Sequence, residues 1–283
     1  MIRRGAALVG ALALAASSAQ AAQAPLRVVL ARALAVPHIS AARSAALAVD
    51  LETGNPVFST NERLPLAPAS NEKLAITYAV LVELGPDFQI ETAALGEGKQ
   101  RGAVWIGDVV LKGYGDPTLT SAGLAQLAAQ LRRAGIRRIT GRVVGDETFF
   151  DTQRVAPGWR LGFYIDESPP LSALSVDRGQ YHGRTDASPA YAAATRFAEV
   201  LRGAGIRVGH GIDVRGAAAT ALPLARIASA PLAAIVRFMD HQSDNFTAEL
   251  LLKQLGALAT DHGTTAAGAG EVTRVLASAG VPL

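Results

Sequence analysis

Apolar and polar residues alternate through SAALAVDLETGNPVFSTN, residues 44–61, around Glu52-Thr53-Gly54-Asn55, a pattern that predicts a hairpin. The period then changes. In APASNEKLAITYAVLVELG the apolar positions Leu74, Ile76, Val80, Leu81 and Leu84 cover most of a helical projection. That predicts a buried helix, with Ser70 at or just before its first turn and Gly85-Pro86 as its stop. From about 90 to 222 the pattern changes again. AVWIGDVVLKGYGDPTL and GRVVGDETFF read as strands, while SAGLAQLAAQLRRAGIRR and SPAYAAATRFAEVLRGAGIRV read as helix, glycine stop, then strand. The two LR-x-AGIR pieces, Leu131–Arg137 and Leu201–Arg207, form a recurring helix-to-strand corner, and nothing around them is periodic. Beyond Pro223 the chain returns to helix. Pro231 suits a first helical position, a further helix in FTAELLLKQLG is expected to close at Gly256, and an alanine-rich helix runs toward Gly280. The expected fold class is α/β (α+β).

Composition narrows this picture. A chain of 283 residues with 49% hydrophobic content can bury one large core or two modest ones. The formal charge of +3 includes Arg3 and Arg4, which belong to a leader of cationic start, apolar run Gly5–Ala16 and small residues Ala19 and Ala21. Residues 1–21 read as a signal peptide on the ordinary secretory route, and the apolar run falls short of the ~20 residues a spanning helix needs. The chain is therefore expected outside the cytoplasm, without a transmembrane segment. Without those 21 residues, 25 basic groups meet 24 acidic ones. That balance gives no electrostatic reason to expect nucleic acid or an anionic membrane as partner. No cysteine is present, so there is neither a disulfide framework nor thiolate chemistry.

Two short patterns carry candidate chemistry. Serine needs a base within hydrogen-bond reach, and a lysine three residues later on a helix projects from the same face. Ser70 and Lys73 have that spacing. To act as base the amine must be neutral, and apolar neighbours favour the neutral form. On the order of one S-x-x-K arises by chance in such a chain, so one solvated lysine on an ordinary helix is the rival reading. Ser243-Asp244-Asn245 is the rarer pattern, placed between two predicted helices where a loop can aim side chains into a cleft. Its rival is a Ser243 that only caps the next helix. Ser59-Thr60-Asn61 reads as turn chemistry. The histidines, His38, His182, His210, His241 and His262, lack ligand spacing, and Gly113-Tyr114-Gly115 is no phosphate loop, so neither metal nor cofactor is expected.

S-x-x-K followed by S-D-N is part of the signature of penicillin-binding proteins and class A β-lactamases. The wider wording resembles the D-alanyl-D-alanine carboxypeptidase/endopeptidase family, the class C low-molecular-mass penicillin-binding proteins. PASNEKLAIT is similar to its nucleophile segment and LKGYGDPTLT to its glycine-rich strand end. DETFFDTQRVAPGW and PPLSALSVDR are similar to its inserted domain, and MDHQSDNFTAELLLKQLG to its second motif. The resemblance runs from about residue 26 to the last residue. It implies a penicillin-binding transpeptidase/β-lactamase-like domain in two parts, 22–89 and 223–283, split by an inserted α/β domain at 90–222.

The resemblance also implies roles. Ser70 attacks the D-Ala-D-Ala carbonyl with its backbone N–H as one oxyanion donor, Lys73 takes its proton, and Ser243 relays a proton toward the leaving amine. Asn245 binds the substrate amide, and Asp177 is a candidate contact for a substrate amine, with a structural turn or ion pair as the rival. Peptidoglycan stem peptides are the implied substrates and β-lactam antibiotics the implied covalent inhibitors. The long interval from Ser70 to Ser243 suits a family with a domain between its motifs and not a class A β-lactamase. No K-T-G, K-S-G or H-T-G follows Asn245, and His262-Gly263-Thr264 has the wrong order. The expectation is a chain that stops before the strands bearing that motif, with little activity as it stands. A non-catalytic cell-wall binding or scaffolding protein is the reading from another class.

Overall fold

The computed structural model describes residues 25–163, 165–209 and 211–282. The leader read at 1–21 lies outside them. Contacts divide the described chain into two units, one ending at Pro68 and the other starting at Ala69.

In the first unit, helix α1 (Leu26–Leu34) precedes strands β1 (Ala46–Val49) and β2 (Pro56–Thr60). The strands pair antiparallel, Ala46 opposite Thr60 and Ala48 opposite Phe58, as the alternation predicts. Asp50 builds the turn, its carboxylate accepting from the N–H groups of Glu52 and Thr53 at 2.9 Å each. Gly54 supplies the left-handed φ of +72° that the turn requires. Asn61 donates through its side-chain amide to the carbonyls of Ala41 and Ser44 at 2.8 and 2.9 Å, which gives that segment its turn role.

The second unit runs through α2 (Glu72–Leu84), the long hairpin β3 (Glu91–Arg101) and β4 (Val104–Gly113), and α3 (Ser121–Arg133). Short strands β5 (Arg138–Ile139), β6 (Val143–Asp146), β7 (Gln180–Tyr181) and β8 (Arg184–Thr185) follow, then α4 (Pro189–Gly203), β9 (Arg207–Val208), β10 (Ile212–Val214) and β11 (Leu222–Ala228). Three helices end it: α5 (Leu232–Gln242), α6 (Asn245–Thr260) and α7 (Thr265–Ser278). A seven-stranded mixed sheet has the path β10-β6-β4-β3-β11, with β5 pairing β4 and β9 pairing β5. The sheet extends to Ala228, past residue 222.

The recurring corner has a physical cause. At both sites the helix ends in a Schellman arrangement: Gly135 and Gly205 take φ of +88° and +78°, and Ile136 and Ile206 donate back to Leu131 and Leu201 at 3.2 and 2.9 Å. Each isoleucine is buried and leads into a short strand. α3 and α4 thereby lay Leu124, Leu127, Leu131, Phe197 and Leu201 on the sheet, each buried side chain contributing about 1.5–3 kcal/mol.

A second core gathers α2, α5, α6 and α7 through Val80, Leu232, Ile235, Met239, Leu251 and Val275. Helix α2 contributes to this layer before the sheet and α5–α7 after it, and Ile90 also joins its core.

Two local expectations are overturned here. α2 is not buried all round: Leu74, Tyr78 and Val82 form an exposed stripe at 60%, 44% and 54%, because only one side of the helix packs on its neighbours. Apolar composition alone does not fix which side finds a partner. Gly256 does not stop α6, which continues to Thr260 and ends at Asp261 with φ +59°. A Cβ at Gly256 would lie 2.8 Å from the backbone nitrogen of Gly268 on α7, so the glycine serves a close helix crossing instead.

Candidate active site

Ser70 lies in the single 3₁₀ turn Ala69–Asn71 that opens into α2. Ala69 holds a left-handed φ of +49°, which turns the chain sharply into the helix. One turn on, the 8%-exposed Lys73 donates from Nζ to Ser70 Oγ at 3.3 Å and to Asn245 Oδ1 at 2.7 Å. Ser243 Oγ donates to Ser70 Oγ at 2.6 Å. Two polar groups from distant stretches of sequence, Lys73 Nζ and Ser243 Oγ, therefore meet on the Ser70 hydroxyl, and Asn245 reaches it through Lys73.

The S-D-N segment makes this possible by dividing its labour. Ser243 is the left-handed C-cap of α5, with φ +54°, and Asp244 is the N-cap of α6, accepting from the Thr247 N–H at 2.8 Å. Capping falls to Asp244, which leaves the Ser243 hydroxyl free to point at Ser70. Asn245 opens α6. α2 and α5 are locked beside each other by Thr77, whose hydroxyl reaches both Asp240 oxygens at 3.0 Å.

The middle residue is held from the sheet side of the unit. Arg178 donates to both Asp244 oxygens, at 3.2 and 2.7 Å, and its guanidinium lies 4.8 Å from the centre of the Phe246 ring. Burial pushes the Asp244 carboxyl up, but Arg178 and Thr247 outweigh it and hold it below the ordinary aspartate value. A second tie is the ion pair of Asp151 with the buried Lys253 on α6.

Ser70, Lys73, Ser243 and Asn245 line one cleft of about 580 Å³. Its far wall comes from Trp159, Phe163 and Glu167, which the pattern of the sequence did not mark as site residues. Glu72 and Glu249 also line it, and burial pushes the Glu249 carboxyl up although it accepts from Thr265 Oγ1 at 3.1 Å. Glu249 was legible in principle, being one turn after Asn245 on the same helix face.

Asp177 is not brought to this cleft. Its carboxylate accepts from the Ser121 N–H at 3.1 Å and from the Ser121 hydroxyl, so it secures the start of α3. It borders a separate cavity of about 330 Å³ with Arg178, Asp244 and Glu167. Among the described residues no three His, Cys, Asp or Glu side chains gather as a metal site, and no helix is long and apolar enough to cross a membrane.

Comparison with known proteins bears on this geometry. Residues 26–188 and 182–283 match the profile of the D-Ala-D-Ala carboxypeptidase 3 (S13) family. The D-alanyl-D-alanine carboxypeptidase of Actinomadura sp. (strain R39) is 36% identical over 176 residues, 59% of this chain and 32% of that protein. Carboxypeptidase DacB of Mycolicibacterium smegmatis is 28% identical over 228 residues, 73% of this chain and 46% of that one. Among solved structures, penicillin-binding protein 4 (dacB) from Haemophilus influenzae superposes with a TM-score of 0.74 at 20% identity, covering 84% of this chain and 68% of that one. Its fold is the penicillin-binding, β-lactamase-like one. The chain spans less than half the length of these two curated relatives.

Proposed function

The chain belongs to the D-Ala-D-Ala carboxypeptidase 3 (S13) family, and from that membership and the cleft we infer a serine-type D-Ala-D-Ala carboxypeptidase/endopeptidase acting on peptidoglycan stem peptides. The observation that carries the reading is the convergence of Lys73 Nζ and Ser243 Oγ on Ser70 Oγ, at 3.3 and 2.6 Å. Both distances allow proton movement to and from the nucleophile without rearrangement.

The steps follow from these contacts. Lys73, as base, takes the Ser70 hydroxyl proton as Oγ bonds to the penultimate D-Ala carbonyl carbon. The C–N bond to the terminal D-Ala then breaks, and its nitrogen receives a proton through Ser243. Water attacks the resulting ester and frees Ser70. Asn245, fixed through its Oδ1 by Lys73, presents its side-chain amide hydrogens to the substrate backbone. Trp159 and Phe163 supply an apolar wall, their ring centres 6.2 Å apart.

A β-lactam presents the same kind of carbonyl, and a crystal structure of the Haemophilus influenzae protein is a complex with a β-lactam. We assign such drugs here as covalent inhibitors. Export to the cell envelope belongs to the same proposal, as does the division into parts 22–89 and 223–283 around an inserted domain at 90–222, which the separate helical and sheet cores support. The test is release of D-alanine from a synthetic peptide ending in D-Ala-D-Ala. The full-length protein is expected to release it and its Ser70→Ala variant is not. Equal release by both would overturn the assignment.

A further inference from the structure

The two Schellman corners carry charge that the proposed chemistry does not use. Parallel pairing sets Arg138 of β5 opposite Arg207 of β9. Val104 of β4 lies opposite Arg138 on one side and Arg101 of β3 on the other. Neighbouring strands are ~4.8 Å apart, so three arginines form a row roughly 14 Å long across one end of the sheet. Lys99 stands beside it on β3, Arg132 and Arg133 at the end of α3, Arg137 before β5, and Arg202 at the end of α4. All eight side chains are exposed.

Some of this charge serves the fold. Arg132 donates to the Ala204 carbonyl at 2.8 Å, and Arg137 donates to the Arg132 carbonyl, which completes helix ends. None of the eight forms an ion pair among the described residues. Residues 98–107, 130–141 and 200–212 contain no carboxylate. Of the 25 basic side chains after residue 21, eight lie here, and the other 17 are outnumbered by 24 carboxylates. The near balance of the whole chain conceals a strong segregation, and an uncompensated cationic edge attracts anions.

The form of the patch selects the anion. It is a spread of outward side chains across several strands and two helix ends, suited to a broad surface. Trp105, the aromatic residue of these segments, is 2% exposed, so no ring is offered for base stacking. We propose that this edge docks the protein on an anionic phospholipid bilayer, with headgroup phosphates accepting hydrogen bonds from the arginines. β4 runs from this edge toward the helical layer over roughly 30 Å, which holds the Ser70 cleft off the bilayer. The proposal is independent of the catalytic reading.

Co-sedimentation with phosphatidylcholine vesicles, with and without phosphatidylglycerol, tests it. A basic residue near an anionic surface changes partition about fivefold. The variant Arg133→Gln/Arg138→Gln/Arg202→Gln/Arg207→Gln removes four exposed charges and is expected to lose more than about a hundredfold in binding to phosphatidylglycerol vesicles. Arg138→Gln/Arg207→Gln should lose about 25-fold, and serves if the fourfold variant melts early. Arg184→Gln/Arg237→Gln, exposed arginines elsewhere, should bind like the parent. Added salt should release the parent. Binding that ignores phosphatidylglycerol, or that survives in the fourfold variant, would overturn the proposal. So would retention by soluble polyphosphate without any binding to vesicles.

Discussion

Arg178→Met leaves the Asp244 carboxylate in place without its guanidinium. Asp244 is 14% exposed and Arg178 36%, with two hydrogen bonds between them. Breaking one side of a fully buried pair costs about 3–5 kcal/mol, whereas an exposed pair is worth at most about 1 kcal/mol. Solvent reaches Arg178, and the Thr247 N–H still holds the carboxylate, so the loss should be about 1.5–3 kcal/mol. Its dependence on pH has a definite sign. A carboxyl held low in the fold contributes stability that is present above its unfolded value, about 3.9, and lost as pH falls through the folded value. The cost of Arg178→Met is therefore full at neutral pH and fades in acid. Urea denaturation of the parent, Arg178→Met, Asp244→Asn and the double variant, at neutral and acid pH, measures this. The double variant should lose less than the sum of the single ones, with a coupling of about 1–2 kcal/mol at neutral pH. A coupling of zero, or equal cost at both pH values, would refute the view that Arg178 braces the S-D-N segment.

Other perturbations have separate outcomes. Lys73→Arg should lower acyl transfer by about 10²–10⁴-fold with the melting temperature little changed, since a guanidinium stays protonated; near-parental turnover would remove Lys73 as base. Asn245→Ala should cost about a hundredfold in kcat/KM, and a fall in melting temperature with unchanged activity per folded molecule would make Asn245 structural. Glu249 is pushed up by burial, so its ionisation in the fold opposes stability, with no penalty below the unfolded carboxyl value and the full penalty above the folded one. Glu249→Gln should therefore stabilise at neutral pH and not in acid, and a loss at neutral pH would contradict that sign. Gly268→Ala places a Cβ against the Leu252 carbonyl and should cost about 1–3 kcal/mol in urea denaturation; a neutral result would mean the α6–α7 crossing is loose.

Local chemistry made part of this molecule readable from its residues. Ser70 and Lys73 are one helical turn apart, and Ser243 and Asn245 flank a helix start, so short-range geometry fixes each pair. Asp50 and Gly54 likewise dictate a turn, and the two AGIR corners are Schellman motifs written in sequence. What stayed hidden depends on contacts between distant segments. Nothing near Trp159, Phe163 or Glu167 indicates that their loop closes the Ser70 cleft. The sequence leaves Asp177 open between a substrate contact and a structural turn or ion pair, and what decides is Ser121, 56 residues upstream, which occupies its carboxylate. Gly256 looked like a stop because a helix crossing cannot be seen along one helix. The cationic edge was invisible to a net charge, since it exists only once β5 pairs with β9.

Covalent labelling shows whether Ser70 is a nucleophile activated by Lys73 and Ser243. The full-length protein is incubated with a reporter-tagged penicillin, digested, and the adduct is located by tandem mass spectrometry. One penicilloyl ester is expected, on Ser70, absent from Ser70→Ala and much slowed in Lys73→Arg. An adduct on another serine, or labelling that persists in Ser70→Ala, would contradict it.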